Sequence, residues 1–403
     1  MESRFKFLKD EKRVYAIMFF FTGIFVFAFS LILGKNYEAL LRNTIVAFIF
    51  SGSVIFMQKD ARERGKDGFS YDNYYKPERY FVIYMVMVVL SCLFSLIPYE
   101  FWPYMALVVI MGLFSNNEIG MLSGIGFITI SVMLEANGTY SELFMYVIAS
   151  VVSLTLLRTL SEDTDISYPV FISVLVQALL LVACSVLFMN RTLSINLFIL
   201  PILNLMINLV ILLLFLNMFG VYVIRKSNDM YMEINDSAYP LLGSLREKSR
   251  DEYFRAIHTG YLAERIALGL SFNDRAVKAV SYYHRIGIPD GKNKWEDVEH
   301  YYIENNFPEE AIEYLHEYIE PRAGAAKSRE MLTVQLSDTL IASIMYLIKK
   351  DKNAKIDYDK LIDTLFDKKE KEGNLKEYNV TYREFDEMRK ILKKEKLYYD
   401  FLR

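Results

Sequence analysis

The side chains best suited to chemistry in this 403-residue chain are its histidines, and all four lie in the second half of the sequence. They are His258, His284, His300 and His316. Because imidazole is a common ligand of transition metals, their clustering raises the question of a metal site. For His258, His300 and His316 the favoured interpretation is an ordinary, partly exposed place on a helix. His284 is equally compatible with packing inside a helical core and with contact to a ligand.

The remaining composition excludes several classes of protein. Cys92 and Cys184 lie inside apolar runs without metal-ligand spacing, so we expect no cysteine chemistry. The formal net charge is −3, which leaves no overall basic field for binding nucleic acid. With 53% hydrophobic and 24% charged residues, the chain is neither disordered nor a disulfide scaffold.

Helices must position the candidate residues, because the chain after Arg225 is polar with helical periodicity and has few Gly or Pro residues. Thr381 followed by Glu384 is a capping box that marks one helix start. The predicted helices cover residues 226–238, 250–270, 274–286, 295–305, 308–318, 328–350, 358–372 and 381–400.

The first half of the chain is instead strongly apolar. About 20 apolar residues in a helix span the hydrocarbon core of a bilayer, and runs near that length recur before Arg225. Eight candidate spans lie near residues 14–34, 39–57, 80–97, 101–115, 119–134, 143–157, 170–189 and 195–224. The fourth and fifth must form a tight hairpin, and a count of seven stays open. The first run is too long for a signal peptide and is interpreted as a retained anchor.

Basic residues predict the orientation, since Lys and Arg stay on the cytoplasmic side of short loops. They precede the first span, fill the second loop and follow the last span, whereas the opposite loops hold only Lys35, Arg42 and Arg191. The first group contains Arg4, Lys6, Lys9, Lys12 and Arg13, and the second loop contains Lys59, Arg62, Arg64, Lys66, Lys76 and Arg79. Eight spans with both termini in the cytoplasm satisfy this pattern.

The predicted spans contain no ionisable residue near their centres, which disfavours a transporter. Asn204, Asn208 and Asn217 in the last span are expected to form hydrogen bonds between helices. We therefore expect an all-α protein: a polytopic membrane domain, residues 1–225, followed by a cytoplasmic helical domain, residues 226–403. The last span joins the second domain without a Gly/Ser linker, so the spans could act on it mechanically.

Several short sequence motifs, called words below, occur in an order that resembles the seven-transmembrane HD-domain (HDIG) family. This family includes bacterial cyclic-di-AMP phosphodiesterases. The words are Tyr239-Pro-Leu-Leu242, Gly260-Tyr-Leu-Ala263, Tyr283-His-Arg-Ile-Gly287, Phe307-Pro308, Lys327-Ser-Arg-Glu330, Leu336-Ser-Asp338, Glu372-Gly-Asn-Leu-Lys-Glu377 and, in the membrane domain, Phe101-Trp-Pro-Tyr-Met-Ala106. The resemblance implies an HD-like domain in a bacterial plasma membrane protein. Members commonly carry a large extracellular domain after the first span, and here only about residues 35–38 separate the first two spans.

The family's chemistry, as the resemblance implies it, depends on two metal ions held by His and Asp residues. In the family's His-Asp word this sequence has His284-Arg285, and a guanidinium cannot ligate a cation. The positions of its tandem histidines fall on Phe254 and Arg255, and on Tyr318 and Ile319. His284 and Asp338 are thus the remnant metal ligands, and we expect neither a stable binuclear metal centre nor a catalytic residue.

The same substitutions suggest a different chemistry. Arg255 and Arg285 lie where metal ligands would face a phosphate, and a guanidinium can bind a phosphate without a cation. We therefore predict Arg255 and Arg285 as phosphate-binding residues. The alternative is that both arginines pair with nearby acids or reach solvent after metal binding was lost.

The resulting interpretation is a membrane-anchored signalling protein, a catalytically inactive phosphohydrolase relative that binds a cyclic dinucleotide or a protein partner, a second copy of itself included. No cofactor is expected in this case. The first alternative is an active cyclic-di-AMP phosphodiesterase whose atypical site, including His258, His284 and Asp338, would take Mn or Fe. The second alternative is a structural or partner-binding membrane scaffold that binds neither metal nor nucleotide.

Overall fold

A computed structural model describes residues 11–135, 140–158, 166–188, 192, 195–321, 327–351, 355–371 and 374–401. Its secondary structure in these residues is helical apart from one isolated β-bridge, between Lys327 and Tyr378, which confirms the all-α class. The contacts divide the chain into two compact units, Met1–Arg225 and Lys226–Arg403. Arg4, Lys6, Lys9, Arg191 and residues 372–373, used above, lie outside the described residues.

Within the residues that the structure describes, the first unit contains eight apolar α-helices where the sequence predicted eight apolar segments. They are α1 (Glu11–Ile32), α2 (Tyr37–Glu63), α3 (Pro77–Phe94), α4 (Tyr104–Leu113), α5 (Asn117–Leu134), α6 (Tyr140–Leu156), α7 (Ser167–Leu187) and α8 (Ile199–Phe219), and α8 is followed by a π-helical turn, Gly220–Arg225. By length and composition, six helical runs of this unit could cross a membrane, whereas α4 and α6 are shorter.

The predicted hairpin between the fourth and fifth segments is present. Helix α5 begins after Asn116, whose side-chain oxygen accepts a hydrogen bond from the Ile119 N–H at 2.7 Å. A side chain on Gly120 would overlap the backbone of Gly112, so the two glycines allow the close approach of α4 and α5. Every residue of α4 is buried.

Asparagines of α8 satisfy backbone groups around the start of α4. The Ala106 N–H donates to the Asn208 side-chain oxygen at 3.0 Å, and the Asn204 amide donates to the Trp102 carbonyl at 3.0 Å. These hydrogen bonds between helices are the role expected for Asn204 and Asn208. They matter because an apolar surrounding offers no water to unpaired backbone groups.

The described part of the second unit contains ten α-helices around an apolar core. They are α9 (Lys226–Ile234), α10 (Pro240–Lys248), α11 (Arg250–Leu270), α12 (Asp274–Tyr283), α13 (Trp295–Glu304), α14 (Glu309–Ile319), α15 (Arg329–Lys350), α16 (Tyr358–Lys371), α17 (Tyr382–Lys394) and α18 (Lys396–Phe401). Helix α11 packs against both α12 and α15, and Gly260 of α11 leaves room for the Tyr282 ring of α12. Helix α15 is apolar enough to pass as a membrane span, although it belongs to this core.

The second unit differs from the sequence prediction by more than one residue at four places. The predicted helix 274–286 ends at Tyr283. The first helix ends at Ile234 instead of residue 238, because a turn follows in which the Ala238 N–H donates to Asp236 at 2.9 Å. Helix α10, which starts at Pro240, was not predicted. The last predicted helix is divided at Glu395 into α17 and α18, while its capping box at Thr381 and Glu384 is confirmed.

Candidate functional site

Asp338 of α15 is the centre of the candidate site. Its side chain is 9% exposed and lies opposite the face of α11 that carries Arg255 and Thr259. The Arg255 guanidinium donates from Nε and Nη2 to the two carboxylate oxygens, both at 2.6 Å. The Thr259 hydroxyl lies 3.5 Å from Oδ1. Burial raises the pKa of Asp338, but His284 and the guanidinium groups of Arg255 and Arg285 together outweigh it and hold this pKa below its usual value.

Arg285 follows the end of α12 and is held by a second acid. Its Nε donates to Oε2 of Glu252, a residue in the first turn of α11. Its Nη1 lies 3.9 Å from Asp338 Oδ2, a distance typical of a looser ion pair. The side chain of Arg285 is 15% exposed and that of Glu252 is 21% exposed. Arg285 thus connects α12 to both α11 and α15.

His284 lies at the C-terminal end of α12, and its ring is almost fully buried. Nδ1 is 2.9 Å from the Val280 carbonyl, so Nδ1 carries the proton that this hydrogen bond requires. Nε2 has no hydrogen-bond partner and lies 3.8 Å from Asp338 Oδ1. Burial lowers the pKa of His284, and the charges of Arg285 and Arg255 lower it further against the opposing effect of Asp338. His284 is therefore neutral near neutral pH.

A cavity of about 180 Å³ opens beside His284 and Arg285. Its polar lining is completed by Lys292, Asn293 and Tyr318, and its apolar lining consists of Ile288, Val298 and Ile319. The Tyr318 ring packs edge-on against His284 with 4.6 Å between the ring centres. Two cationic side chains and a neutral imidazole make this cavity suitable for an anionic group.

The three other histidines lie away from this cavity's lining. His258 Nδ1 bonds the Tyr398 hydroxyl at 2.5 Å, His300 packs against Tyr301, and His316 packs against Trp295. Their aromatic and hydroxyl contacts explain them without a metal. Within the described ranges, His, Cys, Asp and Glu side chains form no group of three or more arranged to hold a metal ion.

The donor set at Asp338 does not fit the two-metal centre that the resemblance implies. Both carboxylate oxygens accept hydrogen bonds from Arg255, so a bridging metal would have to displace a bidentate guanidinium. In addition, the positive charges of Arg255 and Arg285 would repel a cation. Among the described residues around Asp338, His284 contributes a buried ring nitrogen, Nε2, without a hydrogen-bond partner.

The four sequence-predicted site residues come together around this point, although with different partners. Arg255, Arg285 and His284 all lie within 4 Å of an oxygen of Asp338. Both arginines pair with acids, as the alternative expected, and Arg285 in addition lines the cavity. Phosphate binding by Arg255 and Arg285 stays a prediction.

The sequence did not reveal two residues that accompany the predicted site residues, Glu252 and Lys292. Glu252 is three residues before Arg255 and hence on nearly the same face of α11, which is the signal that could have found it. Lys292 follows Gly291, whose positive φ of 72° forms a turn after α12. The Gly residue marked the turn but did not indicate that Lys292 lines a cavity with Arg285.

The fold and the site define an all-helical protein with several membrane-capable helices and a second, wholly helical unit. No family model matches the chain, and no curated protein matches it. Among solved structures the chain is similar to the HD domain of the L. monocytogenes phosphodiesterase PgpH, with 16% identity, a TM-score of 0.31, and coverage of 38% of this chain and 95% of that domain. It is also similar to the same domain in complex with cyclic-di-AMP, with 16% identity, a TM-score of 0.32, and coverage of 40% and 97%.

Proposed function

We propose that this protein is a membrane-anchored, HD-like receptor that binds a phosphate group of a nucleotide through Arg285 and does not hydrolyse it. The observation that carries the proposal is the cavity in which Arg285 and His284 lie side by side. In the resembled family this is the position of the His-Asp pair. A guanidinium there supplies the positive charge that a metal would supply, but it cannot generate a hydroxide nucleophile.

The size of the cavity limits what enters it. Sites that enclose a whole drug-sized ligand have volumes of roughly 300–1,000 Å³. The cavity of about 180 Å³ is smaller, so one phosphate group enters while the rest of the nucleotide stays on the surface of the unit. Cyclic-di-AMP is the first nucleotide to test, because the sequence words resemble proteins that act on it and one of the similar solved structures contains it.

The first unit acts in this proposal as the anchor in a bacterial plasma membrane, with both termini in the cytoplasm. Large apolar side chains on its helices face outward, and such surfaces are suited to lipid. Examples are Phe20, Ile24, Ile45, Ile49, Phe171 and Leu179, each more than half exposed. A signal received by the spans, a partner protein or a second copy of the chain would set when the nucleotide is bound.

The direct test is calorimetric titration of the full-length protein in nanodiscs with cyclic-di-AMP. Arg285→Gln is expected to weaken binding about 10- to 100-fold, since hydrogen bonds to charged groups contribute on the order of 1.5–3 kcal/mol. Arg265→Gln is the matched control, because Arg265 also pairs with an acid but lies 54% exposed at another part of α11. Equal binding by wild type and Arg285→Gln would refute the assigned role of Arg285.

The metal-dependent phosphodiesterase is the second candidate, and one observation favours it. His284 Nε2 is buried, unpartnered and close to Asp338, as a remaining ligand pair would be. This candidate requires Arg255 to leave Asp338 and predicts cleavage that depends on added Mn. A chain that binds neither metal nor nucleotide would instead be the scaffold.

A further inference from the structure

The four paired side chains of the candidate site balance in charge, and Lys292 of the cavity lining adds one more positive charge. Arg255 and Arg285 contribute two positive charges, Asp338 and Glu252 contribute two negative charges, and His284 is neutral. An incoming phosphate therefore meets no free guanidinium at Asp338 or Glu252. A phosphate that binds either arginine must therefore compete with the carboxylate already paired to it.

The two carboxylates are not held equally. Asp338 is 9% exposed, accepts two hydrogen bonds from Arg255 and has Thr259 close to Oδ1. Glu252 is 21% exposed and is joined to Arg285 through the single Nε donor. Glu252 also has the longer side chain, and it lies in the first turn of its helix. Glu252 is therefore the carboxylate that can swing away at the smaller cost.

The two arginines also differ in whether a ligand in the cavity can reach them. Arg285 lines the cavity, whereas Arg255 is absent from its lining and both its hydrogen bonds go to Asp338. A guanidinium has five N–H donors, and Glu252 accepts from the Nε of Arg285. A ligand in the cavity can therefore reach Arg285 while the Arg255–Asp338 pair stays in place.

We propose that Glu252 is an internal competitor that occupies Arg285 until a phosphate group displaces it. This inference rests on the proposed function and names the regulation of the same site. In the ligand-free protein the Glu252 carboxylate accepts a hydrogen bond from Arg285 and neutralises its charge. On binding, the phosphate accepts hydrogen bonds from Arg285 and Glu252 turns toward solvent. The affinity is therefore set by the difference between the free energies with which Arg285 binds the phosphate and the Glu252 carboxylate.

The test is a variant that removes the competing charge and keeps the shape of the side chain. Glu252→Gln in the full-length protein is expected to bind cyclic-di-AMP about tenfold more tightly than wild type, a change of about 1.4 kcal/mol. Glu264→Gln is the matched control, because Glu264 is on the same helix and pairs with Lys278 of α12 at 3.1 Å. The control is expected to bind as wild type does. Glu252→Ser is the second variant if Glu252→Gln does not fold.

A second probe separates this inference from the proposed function. Inorganic pyrophosphate is titrated against the same variants, with the shift in melting temperature as the measurement. If wild type and Glu252→Gln bind cyclic-di-AMP equally, the competitor role is overturned and the receptor proposal stands. If no variant binds cyclic-di-AMP but Glu252→Gln binds pyrophosphate more tightly, the competitor role stands and the nucleotide assignment falls. If neither anion binds any variant, both are overturned.

Discussion

At the scale of residues, the site is held together by charge neutralisation around Asp338. A carboxylate with 9% exposure would be costly to bury alone, and Arg255 compensates it with two short hydrogen bonds. The consequence is reciprocal, because removing either partner leaves the other charge buried without compensation. The pair is thus a structural requirement of the second unit, whatever the ligand.

Because this ion pair is buried, a small change at Asp338 is expected to lower the free energy of unfolding strongly. Asp338→Asn removes the charge and is expected to destabilise the second unit by about 3 kcal/mol, since Arg255 loses its buried partner. The double variant Arg255→Met/Asp338→Leu is expected to recover most of that loss. A urea titration of the full-length chain measures the difference.

The control for this prediction joins the same two helices. Lys349 and Asp251 pair across α15 and α11 at 3.5 Å, but both side chains are at least 75% exposed. Asp251→Asn is therefore expected to change stability little. Similar effects of Asp338→Asn and Asp251→Asn would contradict the proposed importance of burial.

At the scale of elements, helix α11 is the common support of the site and of the C-terminal helix. Its N-terminal half carries Glu252 and Arg255. One turn further, His258 bonds Tyr398 of α18 at 2.5 Å, and Tyr261 stacks on Tyr398 with 3.8 Å between ring centres. The C-terminal helix is therefore attached to the same face that holds the candidate site.

The contact between α11 and α18 is expected to weaken in acid. Burial lowers the pKa of His258 below its ordinary value of 6.5, so the folded state binds this proton less tightly than the unfolded state does. The stabilisation is complete above about pH 6.5 and is lost as the pH falls toward the lowered pKa. Protection of residues 396–401 against hydrogen exchange, corrected for the pH dependence of the intrinsic exchange rate, should fall over that range, and His258→Gln should remove most of the dependence.

An unchanged protection factor between neutral pH and about pH 5 would contradict this role of His258. The useful control is His300→Gln. His300 packs against Tyr301 within α13, so its replacement should leave the pH dependence of α18 in place.

At the scale of the whole molecule, much of the fold could be predicted from hydrophobic periodicity. Apolar length located eight helices of the first unit, and polar helical periodicity located most helices of the second. Periodicity failed where a local interaction ends a helix, as at Asp236, and where the chain turns between α17 and α18. It also cannot distinguish α15 from a membrane span, because a buried core helix and a lipid-facing helix have similar hydropathy.

The candidate site was predictable only in part. The word Tyr283-His-Arg-Ile-Gly287 located His284 and Arg285, and the order of words located Asp338. Their partners were not predictable, because pairing across helices depends on packing that the spacing within one helix does not encode. Glu100 and Glu142 of the first unit are buried as well, and this was also missed. Both lie in the first turn of a helix, a place that does not indicate burial in the sequence.

Cysteine labelling tests the orientation predicted for the whole chain. The native Cys92 and Cys184 are buried, so introduced cysteines can be followed with a membrane-impermeant maleimide. Tyr37 is 75% exposed and Tyr346 is 66% exposed. Tyr37→Cys is expected to react in intact cells and Tyr346→Cys only after lysis. Labelling of Tyr346→Cys in intact cells would contradict a cytoplasmic second unit.

The most direct test of the central claim measures binding and cleavage in one sample. Full-length protein is titrated with cyclic-di-AMP with and without Mn, and each mixture is then analysed for linear product. Because guanidinium groups occupy the oxygens of Asp338, the account predicts equal binding in both titrations and an intact dinucleotide. Linear product that forms only with Mn would contradict it and establish a metal-dependent phosphodiesterase.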